Sequence, residues 1–510
     1  MVFIRLGRII RAGARSYLRS SRGMPDGSWL PLSGPLRLRY FFEDMGGVFF
    51  KLGQILAMRF DLLPAPHALA LFDLFEHATP IDNNRMFEVF RQQYGAPIEN
   101  YFILEPTPLA TASFGQVYRG TYQSEPIVVK LQKPGVVETV VTDMAILRGL
   151  SWFIAPFGLL RVVPLREVLD QLEEWLIDEV DYRREALNGT IIYKHIERHH
   201  LQEHVVVPRI YEEFTRPCVI VESLIEGRTV ADLMRQYDSG SLPFDATAVT
   251  HAFIRDLMRQ YFIDHFFQAD PHPGNLMVLP NGAISFIDFG IVGRPISATH
   301  HFCEFIWGAV NLDYARMVHG MMEFAKARLS AELGDDQSPK DEKALEITLT
   351  FIEERLVEEL KPVMFEWHAS TGDPSLDLAK RSSSVAFFKV IRILERFDLR
   401  LPPDVIAFIR MLLIIDMVCL RLTPEFNMVV AVHSFFDHHP LESIEALGRA
   451  HQAELAALED IPTPMLDPKR DAIAVDRKRE HAARAHERLK ERVYRLADRH
   501  PELYARLKRL

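Results

Sequence analysis

Cysteine is scarce: Cys218, Cys303 and Cys419 are the three in 510 residues, far apart and in apolar surroundings. That excludes a disulfide framework or a cysteine metal centre and suits buried thiols in a reducing compartment. Uninterrupted hydrophobic runs of membrane-spanning length are also missing. Val405 to Leu422 is apolar but carries Arg410, Asp416 and Arg421, which predicts a buried helix, and Ser151 to Val163 is short and broken at Pro156. An excess of positive charge is absent too; the net charge of -10 argues against a general nucleic-acid binder. There is no internal repeat and no spaced set of metal ligands. The adjacent pairs His199-His200, His300-His301 and His438-His439 cannot face one metal from a single helix side, so they read as solvated. What is present is 48% hydrophobic and 25% charged residues, the balance of a globular chain with a large core in one or two domains.

The most informative stretch runs from Gln268 to Gly290. Asp270 is followed five residues later by Asn275, then by an apolar hairpin and Asp288-Phe289-Gly290. This order suits phosphoryl transfer. The transferred group carries spread negative charge, so such a site needs divalent cations on hard oxygen ligands and a carboxylate near the incoming nucleophile. Asp270 is the candidate carboxylate, and Asn275 and Asp288 are the candidate Mg²⁺ ligands. Leu276 to Leu279 and Ala283 to Ile287 read as strands joined through Asn281-Gly282, a pair that favours a primed turn and returns Asp288 to the end where Asn275 sits.

Upstream, Met1 to Arg22 carries Arg5, Arg8, Arg11, Arg15, Arg19 and Arg22 and no acid, the makings of a basic amphipathic helix on an anionic membrane or of a transit peptide. Lys51-Leu52-Gly53-Gln54 reads, on spacing alone, as an amphipathic helix with a solvated lysine. From Glu105 the pattern turns β-rich. Pro108 to Tyr118 leads into Pro126-Ile127-Val128-Val129-Lys130, a hairpin with small residues in its turn followed by a strand ending in lysine. That arrangement clasps nucleotide phosphates, with Lys130 on the α and β phosphates. Ala110, Thr111, Ala112, Ser113, Phe114, Gly115 and Val117 are the candidate nucleotide loop. A periodic helix over Gln171 to Leu187 offers Glu179, Asp181 and Glu185, one of which can pair Lys130. Val205 to Ile210 and Cys218 to Glu222 read as strands, and the backbone from Glu222 to Leu224 is the candidate adenine edge. Beyond Arg294-Pro295 the chain reads as almost wholly helical. It ends in Lys469 to Leu510, with 14 Lys/Arg against 7 Asp/Glu, where Ala482 to Asp498 reads as a helix and Pro501 as an interruption.

Four blocks together resemble the UbiB-like atypical kinases, also called the ADCK family. They are Lys51-Leu52-Gly53-Gln54; Ala110 to Gly115 with Gln116-Val117; Glu179-Val180-Asp181-Tyr182 with Glu185 and Asn188; and Ala269 to Asn275 with Ile287-Asp288-Phe289-Gly290. The resemblance implies an α+β, bilobal protein-kinase-like fold with a helical N-terminal KxGQ extension and a large helical C-terminal lobe. The expected division is 1–35 basic segment, 36–104 extension, 105–224 N-lobe, 225–440 C-lobe and 441–510 basic tail. It further implies that Lys51 meets Glu179 and Asp181, that Glu185 pairs with Lys130, and that the extension, with Gly53 and Gln54, covers the place of a protein substrate. ATP and Mg²⁺ are the implied cofactors. The implied function is an ATPase or small-molecule kinase serving ubiquinone or other prenyl-lipid biosynthesis at a membrane surface. A metabolite kinase of the aminoglycoside-phosphotransferase type and a nucleotide-responsive scaffold are the alternatives. Expected partners are nucleotide, an anionic membrane or lipid intermediate, lipid-biosynthesis enzymes and a second copy in a homodimer, with no nucleic acid. Localisation is expected to be cytoplasmic and peripheral to a membrane, or organellar. The chain departs from the family's pattern at Gln268, where histidine is common, at Thr111 and Phe114 in the alanine-rich loop, and in ending without transmembrane helices.

Overall fold

The computed structural model describes residues 7, 9, 11, 13, 15, 21–23, 29–58, 63, 65–72, 74, 80–112, 114–154, 169–170, 172–173, 176, 179–236, 242–295, 299–333, 339–397, 399, 401–458 and 496–508. Most of the arginine-rich segment, Ser113, and 482–495 of the expected tail helix therefore lie outside the described residues. The chain forms two compact units: Met1–Arg228 with Asn275–Leu279 and Ser285–Val292, and Thr229–Gly274 with Pro280–Ile284 and Gly293–Leu510.

The first unit is built on an antiparallel sheet in the order Ile103–Leu104, Gly115–Tyr122, Glu125–Gln132, Val219–Ser223, with Ala110–Thr111 also pairing Gly115–Tyr122. The central hairpin closes through Gln123 and Ser124, both at positive φ (50° and 72°), the backbone of a two-residue primed turn. Side chains alternate across a strand, and this parity sorts the residues of Glu125–Gln132. Ile127, Val129 and Leu131 enter the apolar core with Phe90, Tyr118 and Val221. Lys130 is thrown to the other face, where Ile220 clusters with Tyr182, Ala186 and Ile210. Helix Asn83–Tyr94 packs against the sheet; Asp82 caps its start by accepting from Asn84 N at 3.0 Å, and Gly95 ends it at φ 72°. The motif residue Gln116 is structural: fully buried, it exchanges hydrogen bonds with the Ile81 backbone and donates to the Tyr118 hydroxyl at 2.7 Å.

Two expectations change in this unit. The extension folds as helices Gly34–Met45, Gly47–Met58 and Ala65–Phe72, and Lys51 is buried rather than solvated. The single helix read over Gln171 to Leu187 is interrupted: Val180 is a turn, Asp181 is extended, and a new helix, Tyr182–Arg198, starts with the Asp181 carboxylate accepting from Arg183 N. Aspartate is a strong N-cap because its oxygen satisfies an orphan amide of the first turn, and here that local preference overrides apolar periodicity.

The second unit is helical. Helix Ala246–Phe262 runs through its core, with Phe253, Ile254, Leu257 and Met258 inaccessible to solvent, and Tyr261, Phe262, Phe267, Phe302 and Phe408 pack as an aromatic cluster beside it. Helix Pro403–Leu422 is buried as its composition predicts, because its charges are met inside. Asp416 accepts from Ser383 N (2.8 Å) and Ser382 Oγ (2.9 Å). Pro501 marks an interruption as expected: the helical residues 496–499 end at His500, and Pro501 opens Pro501–Leu507, where a missing amide hydrogen costs nothing. That helix is held to Pro339–Thr371 by Arg355–Glu502 (3.1 Å) and Arg506–Glu354 (2.8 Å). Among the described residues no helix is long and apolar enough to cross a membrane.

Candidate active site

Lys130 sits where strand parity puts it, cross-strand from Val117 and Ile220. Its Nζ donates to both carboxylate oxygens of Glu185 at 2.7 Å and lies 5.0 Å from the Tyr182 ring centroid. Glu185 falls one turn into the helix that Asp181 starts, so the cap sets which acid faces the sheet. Burial alone would depress the Lys130 ammonium; Glu185, Asp288 and Tyr182 outweigh it and hold its pKa well above the usual lysine value. Lys130 is therefore a fixed positive charge.

Asp288-Phe289-Gly290 is pinned to the same helix. Asn188 Nδ2 donates to Phe289 O at 2.9 Å, and Gly189 leaves room for the Phe289 ring, since a Cβ there would lie 3.0 Å from Cδ2. Burial pushes the Asp288 carboxyl up, but Lys130, a hydrogen bond from Gly290 N at 2.9 Å and Lys51 bring it below the ordinary value. Ile287 N donates to Asn275 O at 3.1 Å across the hairpin Leu276–Val278 and Ile284–Phe286, whose turn places Gly282 at φ 84°. One ionised carboxylate and one amide oxygen are a donor set that fits Mg²⁺, which takes few protein ligands and keeps several waters.

Other predicted nucleotide contacts are placed as follows. Ala110 and Thr111 pair with Val117 and Gln116, and Ala112 N donates to Gly115 O at 2.9 Å; Ser113 lies outside the described residues. Gly115 is required there, because a Cβ would stand 2.9 Å from Leu131 O and against the Tyr182 hydroxyl. Leu224 N is already committed to Pro126 O at 3.1 Å, so its amide is not an open donor for a base. Glu222 lies in the strand Val219–Ser223; burial, with Glu185 nearby, pushes its carboxyl up to about 8 against the pull of Lys130. Because that value exceeds the ordinary 4.5, folded Glu222 keeps a proton that the unfolded chain loses, and stability falls as pH rises from about 4.5 to about 8. Urea unfolding of the metal-free protein across this window should show the fall, and Glu222→Gln should flatten it; equal slopes in the two proteins would refute the assignment.

Lys51 Nζ lies 2.7 Å from Glu179 Oε1. Asp181, which the resemblance also assigns to Lys51, is engaged by Arg183 through Nη2 at 2.6 Å and by its cap. Gly53 allows close helix packing, since a Cβ would come within 2.8 Å of Leu74 Cδ1 and 2.9 Å of Phe42 Cγ. Gln54 Oε1 is buried without a hydrogen-bond partner among the described residues. Phe114, the bulky residue of the nucleotide loop, approaches the start of the Lys51 helix, its Cε1 being 3.9 Å from a Cβ built on Gly47.

In the second unit, Asp270 is held from two directions. Gln268, buried, donates its backbone amide to Gln260 Oε1 at 2.9 Å and donates through Nε2 to Asp270 O at 2.6 Å, so glutamine itself supports the loop where the family often has histidine. Gln260 in turn donates to Asp256 at 2.7 Å, and Asp256 is paired with Arg259 at 2.6 Å. The carboxylate meets Arg410 Nη2 at 3.2 Å, from helix Pro403–Leu422. Sequence reading missed Arg410, Gln260 and Gly189. A charge inside an apolar helix was the signal for Arg410; its partner 140 residues away was not readable.

Residues 73–321 match the ABC1 atypical kinase-like domain. That match and relatives named UbiB support the UbiB-like kinases as the family. The chain's α+β architecture is accordingly protein-kinase-like. A UbiB-like relative, the probable protein kinase UbiB of Pseudomonas fluorescens, is 34% identical over 274 residues, 52% of this chain and 50% of that one. An aarF domain-containing protein kinase of Arabidopsis thaliana, named as chloroplastic, is 28% identical over 397 residues, 75% of this chain and 71% of the relative. Among solved structures, the Rv3197–erythromycin complex from Mycobacterium tuberculosis aligns at 22% identity and a TM-score of 0.44, over 79% of this chain and 92% of that one. The matched part spans 39% to 71% of the curated relatives' own lengths, about half in most.

Proposed function

We propose that this UbiB-like kinase is an ATP- and Mg²⁺-dependent ATPase or small-molecule kinase that supports ubiquinone or other prenyl-lipid biosynthesis at a membrane surface, rather than a protein kinase. The observation that carries the reading is the part-buried Lys130–Glu185 pair beside an ionised Asp288. A permanent cation and a permanent anion, both half-buried, suit a nucleotide phosphate and its metal better than they suit stability, since withdrawing charges from water gains little over apolar packing. The Lys51–Glu179 pair supports a site covered by its own chain. The UbiB name of the relatives supports the lipid pathway, and the chloroplastic names of plant relatives support an organellar setting as an alternative to the cytoplasm.

In this reading Lys130 binds the α and β phosphates and Glu185 orients it. Asn275 and Asp288 would hold Mg²⁺, which supplies charge neutralisation on the phosphates when bound. Asp270 accepts the proton of the attacking hydroxyl or water, and Arg410 and Gln268 keep its carboxylate in place. ATP hydrolysis, measured with and without anionic liposomes, is the test. Turnover stimulated by liposomes is expected in the wild type, and Asp270→Asn should lower it about 10²-fold or more while Mg–nucleotide binding persists. Wild-type turnover at background in both conditions overturns the enzyme and leaves a binding-only scaffold.

A further inference from the structure

Within the second unit a cavity of about 110 Å³ lies among helices Thr299–Asn311, Tyr314–Leu333, Pro339–Thr371, Ser383–Arg396, Pro403–Leu422 and Met428–His438. Its wall includes Phe305, Met364, Phe387, Leu413 and Met428. The polar side chains on it, Trp367 and Ser383, are bonded to each other at 3.1 Å, and the Ser383 hydroxyl also reaches Asp416 at 3.3 Å. Water needs two or more polar partners to settle in such a space, and this wall offers neither an open donor nor an open acceptor among the described residues; a dry apolar cavity of about 150 Å³ in another protein takes up benzene or xenon. Met321, Met364 and Met428 add adaptable walls. Trp367, Phe387 and Leu412 are half-buried, which gives the cavity a rim through which a ligand enters.

The cavity also abuts the machinery. Ile409, Leu412 and Leu413 line it, and Arg410, next in the same helix, holds Asp270. A ligand that displaced Ile409 and Leu413 would turn or shift that stretch of helix and carry Arg410 with it.

We propose that this cavity binds a hydrocarbon, as a small aromatic ring or the end of an alkyl chain, and that its occupancy is transmitted through Arg410 to Asp270. The transmission rests on the function proposed above; the binding does not. The size restricts the buried part to about one ring or a short branched chain end, and the satisfied wall excludes a polar head inside.

The test uses the full chain and bromobenzene, whose heavy atom quenches indole emission. Saturable quenching is expected, lost in Trp367→Phe because that indole stands at the rim. Ala386→Leu and Ala309→Leu each fill the space from a different helix, and either should weaken apparent affinity at least about tenfold while keeping a cooperative melt. Vesicles carrying brominated acyl chains form the second arm: quenching there identifies a lipid chain end as the source, and quenching by bromobenzene alone identifies a free small molecule. Non-saturable quenching, or quenching unchanged in a folded filling variant, overturns the site. Benzene is then added to the ATPase assay. A change of turnover in the wild type that disappears in Ala386→Leu supports the coupling, and saturable binding without any change of turnover overturns the coupling. If the wild type has no turnover, the enzyme reading fails while the fluorescence result still decides the site.

Discussion

Asp288→Asn should abolish stabilisation by Mg–nucleotide while leaving the fold intact. Its Oδ1 accepts from Gly290 N at 2.9 Å, and the amide oxygen of asparagine retains that bond. What is lost is the negative charge facing Lys130 and Lys51, both of which hold the carboxyl ionised. A neutral amide is a far weaker ligand for a hard divalent cation, and Lys130 then faces the phosphates with one anion fewer. At a nucleotide concentration of about 100 times the dissociation constant, the wild type gains roughly 2.7 kcal/mol, a thermal shift of several degrees. The variant should show none with Mg²⁺ present. A shift equal to the wild type's would remove Asp288 from the metal site, and a collapsed melt in the absence of nucleotide would assign it to folding instead.

Arg259→Met should be the most destabilising single change in the helical unit. Arg259 bridges Asp256 and Asp264, and all three are at least 96% buried, with Asp264 inaccessible to solvent. Burial works against the Arg259 charge, and the two aspartates outweigh it, so its pKa is raised. Methionine matches the stem in volume but strands two carboxylates in the core. Removing one partner of a buried pair costs about 3–5 kcal/mol because the remaining charge keeps its desolvation penalty. Urea unfolding should lose that amount at neutral pH, and adding Asp264→Leu should return part of it; a loss under 1 kcal/mol would mean water reaches the carboxylates. The change should reach the active loop as well, because Asp256 anchors Gln260 and Gln260 anchors Gln268, which bonds the Asp270 carbonyl.

The Asp270–Asn275–Asp288 spacing, the hairpin between the last two and the strand carrying Lys130 were legible in the sequence because each depends on near neighbours, although the strand runs on to Gln132 and the turn is not the primed one expected, since Gly282 but not Asn281 takes positive φ. The helical character of the second unit was legible for the same reason. Local patterning misread the stretch around Glu179. Apolar periodicity suggested one helix, whereas the Asp181 cap begins another, and that break separates the acid that meets Lys51 from the acid that meets Lys130. A lone Lys51 in an amphipathic pattern looked solvated, since the acid that pairs with it lies 128 residues away in sequence.

By itself, then, the sequence determined which chemical groups are present, their local backbone, and through four matching blocks the family. The Lys130–Glu185 pairing was implied by the family resemblance; tertiary structure alone decided which of the two acids offered to Lys51 it meets, Glu179, and the pairings of Arg410 with Asp270 and Gly189 against Phe289. The physical reason is the cost of burying charge. An ionised side chain in the interior is admitted only opposite a specific partner, and that partner is set by how helices and strands pack, a long-range property that no window of neighbouring residues contains.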